Sequence, residues 1–370
     1  MHICVIVGAR PNFMKGAPLV EALRSHSGAK VSLVHTGQHY SANLSDLFFD
    51  QLGLPRPEVN LGVGSDSHVR QIARIMEGLE DYFVHVQPDV VVVVGDVNST
   101  LAAALVANKL MLPLAHVEAG LRSFDRSMPE ETNRVLTDAV SDLLFTTEPS
   151  ANENLKREGI GEGKIHFVGN LMIDTLQKHR PKANALQMPR SLGLQPRNYA
   201  LLTLHRPANV DTFAQLRRIL SALEWIQKEM PVVFPMHPRT SERIYQFGLE
   251  TVLKGMTGLR CIEPMGYFEF LGLMDGAAVV LTDSGGIQEE TTCLGVPCLT
   301  LRNNTERPVT VNVGTNELVG NDPERIIAGV SKVLSGSWKK GRLPDAWDGH
   351  AAKRVADVLL AADYHQRSYR

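Results

Sequence analysis

The chain has 370 residues, too many for one ordinary hydrophobic core and suited to two domains. Its 44% hydrophobic and 21% charged residues are a normal globular composition, and the formal net charge of −2 gives no overall field for nucleic acid or an anionic membrane surface. Any polyanionic ligand must therefore be met by local groups.

Met1–Val7 runs directly into a strand-like apolar stretch without a basic leader, so no signal peptide is expected, and no apolar run approaches the roughly 20 residues that span a bilayer. Cys4, Cys261, Cys293 and Cys298 form no CxxC pair and no zinc-ligand spacing. They read as reduced thiols of a cytoplasmic protein without a metal.

Short apolar runs alternate with longer amphipathic segments, the pattern of parallel sheets covered by helices. Ile3–Val7 reads as the first strand, Lys15–Ser25 as a helix and Val31–His35 as the next strand. Val69–Val86 reads as a long helix. Asp89–Val94 is almost pure valine, as a strand buried on both faces requires. Leu101–Leu110 reads as a helix, Leu114–Val117 as a strand, Glu131–Val140 as a helix, and Leu143–Thr146 and Ile165–Val168 as strands. The Lys-, Arg-, Pro- and Gln-rich Lys178–Arg197 reads as a linker. The pattern then restarts with strands at Tyr199–Leu204, Val232–Pro235, Leu259–Ile262, Val279–Thr282 and Cys298–Leu301. Helices are expected at Thr212–Lys228, Tyr267–Met274, Ile287–Leu294, Pro323–Leu334 and Ala351–Asp363. The fold class is thus α/β, with two Rossmann-like doubly wound domains facing a shared cleft. The expected boundaries are 1–175 and 176–350.

Doubly wound domains bind ligands beyond the carboxyl ends of their strands, so the residues just after strands carry the functional signal. After the first strand, Gly8 permits a tight turn and Pro11 suits a first helical turn. Arg10 and Lys15 make that helix start a candidate anion site. Neither GxxxxGK[ST] nor GxGxxG spacing is present. Asp96 follows the valine strand, as helix cap or as catalyst, and Glu118 ends the next strand before Gly120. Glu130 and Glu131 open a helix. Carboxylates converging at one end of consecutive parallel strands can act as general acids and bases.

In the second half, His205-Arg206 and His237-Pro238-Arg239 end successive strands, where a histidine can contact phosphate or move a proton. The most specific element is Asp283-Ser284-Gly285-Gly286. Backbone N–H groups of Ser284, Gly285 and Gly286 at a helix start can wrap a diphosphate, and Glu290 one turn on can accept both hydroxyls of a ribose. Arg307 is a candidate diphosphate clamp or ion-pair partner.

The stretches GARPNFMKGAPLV, GDVNST, HVEAGLRS, PEETNR, FVGNLMIDTL, HRPANV, LTDSGGIQEE and LRNNTERP occur in the order and spacing of one family. The chain resembles the non-hydrolysing UDP-N-acetylglucosamine 2-epimerases, of the GT-B fold, nearly throughout to about Gly320. That resemblance implies interconversion of UDP-GlcNAc and UDP-ManNAc through anti elimination of UDP, with no metal and no NAD. It also implies a homodimer, and a C-terminal helix within 351–366 that crosses back to pack toward the N-terminal domain. Asp96, Glu118 and Glu130 match the family's catalytic carboxylates, with Glu131 as the fallback for the last, and His205 matches its functional histidine. Ser284, Gly285, Gly286 and Glu290 match diphosphate and ribose contacts. Arg10 and Lys15 lie near UDP, and the backbone around Phe270 would meet the uracil.

Three departures stand out. Asn12 replaces the glutamate usual after Arg-Pro, and the stretch before Pro129 is one residue short. Gln38 and His39 lack the residues that follow them in members with allosteric substrate binding, and this loop also resembles relatives acting on diacetamido-uronate nucleotides. A GT-B glycosyltransferase, a hydrolysing epimerase or a catalytically inert UDP-sugar sensor are the rival readings. The trio Asp96, Glu118 and Glu130 is more acid–base equipment than a transferase needs.

Overall fold

The structure, a computed structural model, describes residues 1–38, 49 and 51–364; Arg10 is described by its backbone alone. The chain divides into two compact units, Met1–Thr175 with Asp345–Arg370, and Leu176–Pro344.

In the first unit, strands β1 (His2–Val7), β2 (Lys30–His35), β3 (Val59–Asn60), β4 (Val90–Val94), β5 (Leu114–Ala119), β6 (Leu143–Thr146) and β7 (Ile165–Phe167) form a parallel sheet in the order β3-β2-β1-β4-β5-β6-β7. The all-valine β4 lies between β1 and β5 with both faces covered, which is why no polar residue alternates along it. One covering helix, His68–Val86, buries Ile75, Leu79 and Phe83 along a four-residue repeat, and the Ser67 hydroxyl caps it by accepting from Arg70 N–H. Its neighbour Asn98–Lys109 carries Ala102, Ala103 and Ala104, whose small side chains allow close approach.

In the second unit, β8 (Ala200–Thr203), β9 (Val232–Pro235), β10 (Leu259–Ile262), β11 (Val279–Thr282), β12 (Cys298–Thr300) and β13 (Asn316–Leu318) repeat the arrangement as β10-β9-β8-β11-β12-β13, again parallel. Both sheets reverse strand order once, between β1 and β4 and between β8 and β11. Crevices form at such switch points, beyond the carboxyl ends of the strands.

Several expectations need correction. The first helix starts at Arg10 rather than Lys15, because Pro11 occupies its first turn. The expected linker Lys178–Arg197 is largely helical, covered by Leu171–Ala185 and a short helix Met188–Ser191. Its polar composition marks a solvent face, while Leu176, His179 and Ala183 bury the other at helical spacing. The chain passes between units inside this helix, at Thr175/Leu176, and returns at Pro344/Asp345. Helices Pro149–Arg157 and Pro238–Gln246, and strands β3 and β13, were not anticipated. The C-terminal helix Ala351–Ala361 packs on helix Arg10–Arg24 within the first unit. Its start is fixed by the Asp174 carboxylate, which accepts from Ala351 N–H (3.2 Å) and Ala352 N–H (2.7 Å).

Candidate functional site

In the first unit, the carboxyl ends of β1, β4 and β5 bring together residues far apart in sequence. Gly8 has no room for a side chain, since a Cβ there would lie 2.0 Å from Ser99 Oγ. Asn12 is buried. Its Oδ1 accepts from Gly8 and Ala9 N–H (both 3.2 Å), and its Nδ2 donates to the Val94 carbonyl (2.8 Å), tying the β1 loop to β4. A glutamate there could not make that donation.

Lys15, one turn into the helix, forms an ion pair with Glu118, and both side chains are almost wholly buried, 7% and 6% exposed. Glu118 has φ of +75°, and the β5–β6 register shifts between Val117 and Ala119. That left-handed backbone costs a non-glycine residue about 1–3 kcal/mol and persists only where its surroundings impose it. Gly95 (φ +69°) completes the cluster, for a Cβ there would stand 3.3 Å from Glu118 Oε2, 3.4 Å from Asn12 Nδ2 and 3.7 Å from Lys15 Nζ.

Asp96 is not a helix cap. The helix begins at Asn98 with Val97 in the cap position, and the partly exposed Asp96 carboxylate pairs instead with Arg134. Asp96 and Glu118 thus each meet a cation.

Glu130 and Glu131 part company. Glu131 is buried and accepts from Ser123 N–H (2.9 Å), Ser123 Oγ (2.9 Å), Phe124 N–H (2.8 Å) and Arg134 (2.7 Å). Burial pushes its carboxyl up, but the Ser123 amide and the Arg134 guanidinium outweigh that and hold it below the usual carboxylate range. Glu131 therefore anchors the loop after β5, while Glu130 remains half-buried in the first turn of helix Pro129–Val140. Arg10 opens its helix, but its side chain lies outside the described atoms, and His39 lies outside the described residues.

In the second unit, His205 follows β8 and Asp283 follows β11, on either side of the switch point. Asp283 is fully buried. It accepts from the backbone N–H of His205 (3.0 Å) and Arg206 (2.9 Å) and from Asn209 Nδ2 (3.2 Å), and its Oδ1 lies 2.8 Å from His205 Nδ1. Burial raises its carboxyl, but the bond to His205, that ring's charge and the two amides together hold it below the usual range. With Nδ1 held, the exposed part of the His205 ring offers Nε2 for proton transfer or for a phosphate.

His237 lies beside it, with ring centroids 5.7 Å apart. Its Nδ1 accepts from Arg239 N–H (3.2 Å), capping helix Pro238–Gln246, and the Arg239 guanidinium is bound to Asp211.

Ser284 occupies the cap position of helix Gly285–Leu294, but its hydroxyl does not cap the helix. Its own N–H donates to Thr282 Oγ1 (3.0 Å), which leaves the first-turn amides of Gly285 and Gly286 as the donors suited to an anion. A Cβ at Gly285 would stand 2.6 Å from Glu306 Oε1 and 2.7 Å from Arg307 Nη1.

Arg307 is buried, 2.7 Å from Glu289 and 2.5 Å from Glu306, so its guanidinium meets two carboxylates beneath the glycine turn. Burial would raise the Glu306 carboxyl, but the charges of Arg307 and Arg302 hold it far below the usual range. Glu290 is buried and accepts from Tyr267 Oη (3.0 Å). Phe270 is half-buried on helix Tyr267–Gly276, and its N–H is engaged by the Gly266 carbonyl (3.0 Å).

Asn12, Arg134, Tyr267 and Asp283 were given no role from sequence. Asp283 satisfies the same strand-end rule that singled out Asp96, and Asn12 was visible as a departure. Nothing local signals Tyr267 or Arg134. Among the described residues no His, Cys, Asp or Glu group is placed to hold a metal, and no helix is long and apolar enough to cross a membrane.

Two Rossmann-like units, with paired carboxylates at the strand ends of one and a glycine-rich helix start beside a held histidine in the other, define an acid–base enzyme of the GT-B class. Comparison with known proteins sharpens this. The family model described as UDP-N-acetylglucosamine 2-epimerase matches residues 21–360. A UDP-N-acetylglucosamine 2-epimerase of Methanococcus maripaludis is 43% identical over 97% of this chain and 98% of its own length. A UDP-2,3-diacetamido-2,3-dideoxy-D-glucuronate 2-epimerase of Pseudomonas aeruginosa is 40% identical over 97% and 99%. The crystal structure of Methanocaldococcus jannaschii UDP-GlcNAc 2-epimerase in complex with UDP-GlcNAc and UDP is similar with a TM-score of 0.89, at 43% identity over 98% of this chain and 100% of that one. The chain belongs to the UDP-N-acetylglucosamine 2-epimerase family, a family of isomerases.

Proposed function

We propose that the chain interconverts UDP-GlcNAc and UDP-ManNAc without hydrolysing them. The sugar's C2–H has no neighbouring carbonyl to stabilise a carbanion. A carboxylate therefore removes the C2 proton as the C1–O bond breaks anti to it, giving 2-acetamidoglucal and UDP. Re-addition of UDP at C1, with protonation of C2 from the opposite face, yields the epimer.

The observation that carries this reading is Glu118, held against Lys15 in a backbone conformation that a glutamate adopts only under constraint. Asp96 and Glu130 complete the acid–base set. His205, oriented by Asp283, serves the departing phosphate oxygen. The amides of Gly285 and Gly286 and the hydroxyl of Ser284 hold the diphosphate, with Arg10 and His237 contributing, and Glu290 holds the ribose. Arg307 supports the glycine turn from beneath. The helix bearing Phe270 lies against the uracil. The resemblance also supports a homodimer working in the cytoplasm, and a division into two domains near residue 175 with the C-terminal helix Ala351–Ala361 returning to the first.

A second reading, epimerisation of a UDP-2,3-diacetamido-glucuronate, is favoured by the Pseudomonas aeruginosa relative. Proton NMR of the purified protein with each nucleotide in D2O decides between them. The expected result is UDP-ManNAc carrying deuterium at C2; turnover of the uronate alone would transfer the assignment, and silence with both would overturn it.

A further inference from the structure

Beneath the carboxylate-bearing strand ends of the first unit lies a buried pair that the reaction as written does not use. His116, on β5, and Asp138, on helix Pro129–Val140, are both fully buried. His116 Nδ1 donates to Asp138 Oδ1 (2.6 Å), and Nε2 donates to the Gly95 carbonyl (2.8 Å). The other carboxylate oxygen, Oδ2, accepts from Gly120 N–H (3.0 Å) and from Arg122 (2.7 Å). Arg122 continues to Glu158 at the surface through Nε (2.8 Å).

His116 stands two residues before Glu118 and Gly120 two residues after it. The two oxygens of one carboxylate therefore grip β5 on both sides of the residue whose φ is +75°. The second nitrogen of the same imidazole holds the peptide that leads into Asp96, at a glycine with φ of +69°. Gly120 is itself confined, since a Cβ there would lie 2.5 Å from the Ala151 carbonyl oxygen.

We propose that His116 and Asp138 are positioning residues that set Glu118 and Asp96 in register with each other for proton transfer. The pair acts as one clamp across two adjacent strand ends. Asp138 supports this as a carboxylate: burial pushes its carboxyl up, but the charges of His116 and Arg122 outweigh that and hold it low. The inference rests on the epimerase reading, because it needs those two carboxylates to be the groups that move protons.

The test compares His116→Gln, Asp138→Asn and Glu158→Gln, the last removing only the outer end of the network. Turnover in D2O, UDP affinity by calorimetry and the thermal midpoint are measured for each, after wild-type turnover has been established. Absence of wild-type turnover sinks the reaction assignment itself. With the wild type active, the expected result is a kcat lower by roughly a hundredfold in the two clamp variants, the loss that a displacement of about 1 Å produces, with UDP affinity unchanged. Glu158→Gln should keep its kcat even where its midpoint falls. Three results would overturn the proposal: kcat losses that track the midpoint through all three variants, a rise in KM with kcat intact, or failure of both clamp variants to fold, which would make the pair a folding element.

Discussion

Replacing Glu118 with glutamine tests both the chemistry and the electrostatics of the first unit. The substitution keeps size and shape but removes a charge that faces Lys15, where both side chains are at most 7% exposed. An exposed pair would contribute well under about 1 kcal/mol, whereas breaking a buried pair costs about 3–5 kcal/mol, because the remaining ion is left without its counter-charge in a poorly solvated site. The glutamine carbonyl still accepts from Lys15, so the lower end, about 3 kcal/mol, is expected. At about 2–4 °C per kcal/mol for a unit of this size, the thermal midpoint of the first unit falls by roughly 6–12 °C. Turnover is lost, while UDP affinity, which on the proposed reading rests mainly on groups of the second unit, is retained. The double variant Lys15→Met/Glu118→Gln removes both charges, so most of the midpoint returns and turnover does not. Calorimetry of wild type, Glu118→Gln, Lys15→Met and the double variant, with NMR turnover beside it, gives the coupling directly. A Glu118→Gln protein as stable as wild type would refute the buried-pair argument, and one that still exchanges the C2 proton would remove Glu118 from the chemistry.

Other outcomes follow from the same geometry. Asp96→Asn abolishes C2 exchange but leaves UDP affinity within about twofold, as titration calorimetry would show; lost UDP binding would make Asp96 a binding residue. Asp283→Asn leaves His205 Nδ1 without its carboxylate, so kcat falls on the order of a hundredfold, and an unchanged pH–rate profile and kcat would separate His205 from the reaction. Gly285→Ala forces a Cβ within 2.7 Å of Arg307 and weakens UDP binding roughly tenfold, read by calorimetry. Asp138, Asp283 and Glu306 all have carboxyls held low in the folded protein. Their contribution is complete above the unfolded-state value of about 4 and is lost as pH falls through the depressed values. Urea midpoints should therefore drop steeply only below about pH 4, and a drop beginning near pH 6 would contradict the assignment.

Much of the fold was legible because buried parallel strands leave an unmistakable trace. The valines of β4 admit no alternation, and the restart of the pattern at Tyr199 marks a second sheet. The strand-end rule then led to Asp96, Glu118 and His205 without knowledge of a single contact. Composition misled at Lys178–Arg197, expected as a linker, where Lys178, Arg180 and Lys182 sit on the solvent side of helix Leu171–Ala185. The strand-end rule could not separate Glu130 from its neighbour, since adjacent helical residues point different ways and only packing tells which side faces Ser123.

Chain order and residue type were enough to place the carboxylates at strand ends, the glycines at a helix start and the family as a whole, because these depend on local periodicity and on motifs a few residues long. Partnerships lay beyond that reach. Lys15 meets Glu118 across 103 positions and His205 meets Asp283 across 78. Arg307 turns to Glu289 and Glu306, and Glu118 is forced into a left-handed backbone. Such pairings arise when parallel strands align in one register and bury their ends together, so that desolvated charges must find counter-charges wherever the chain has brought them.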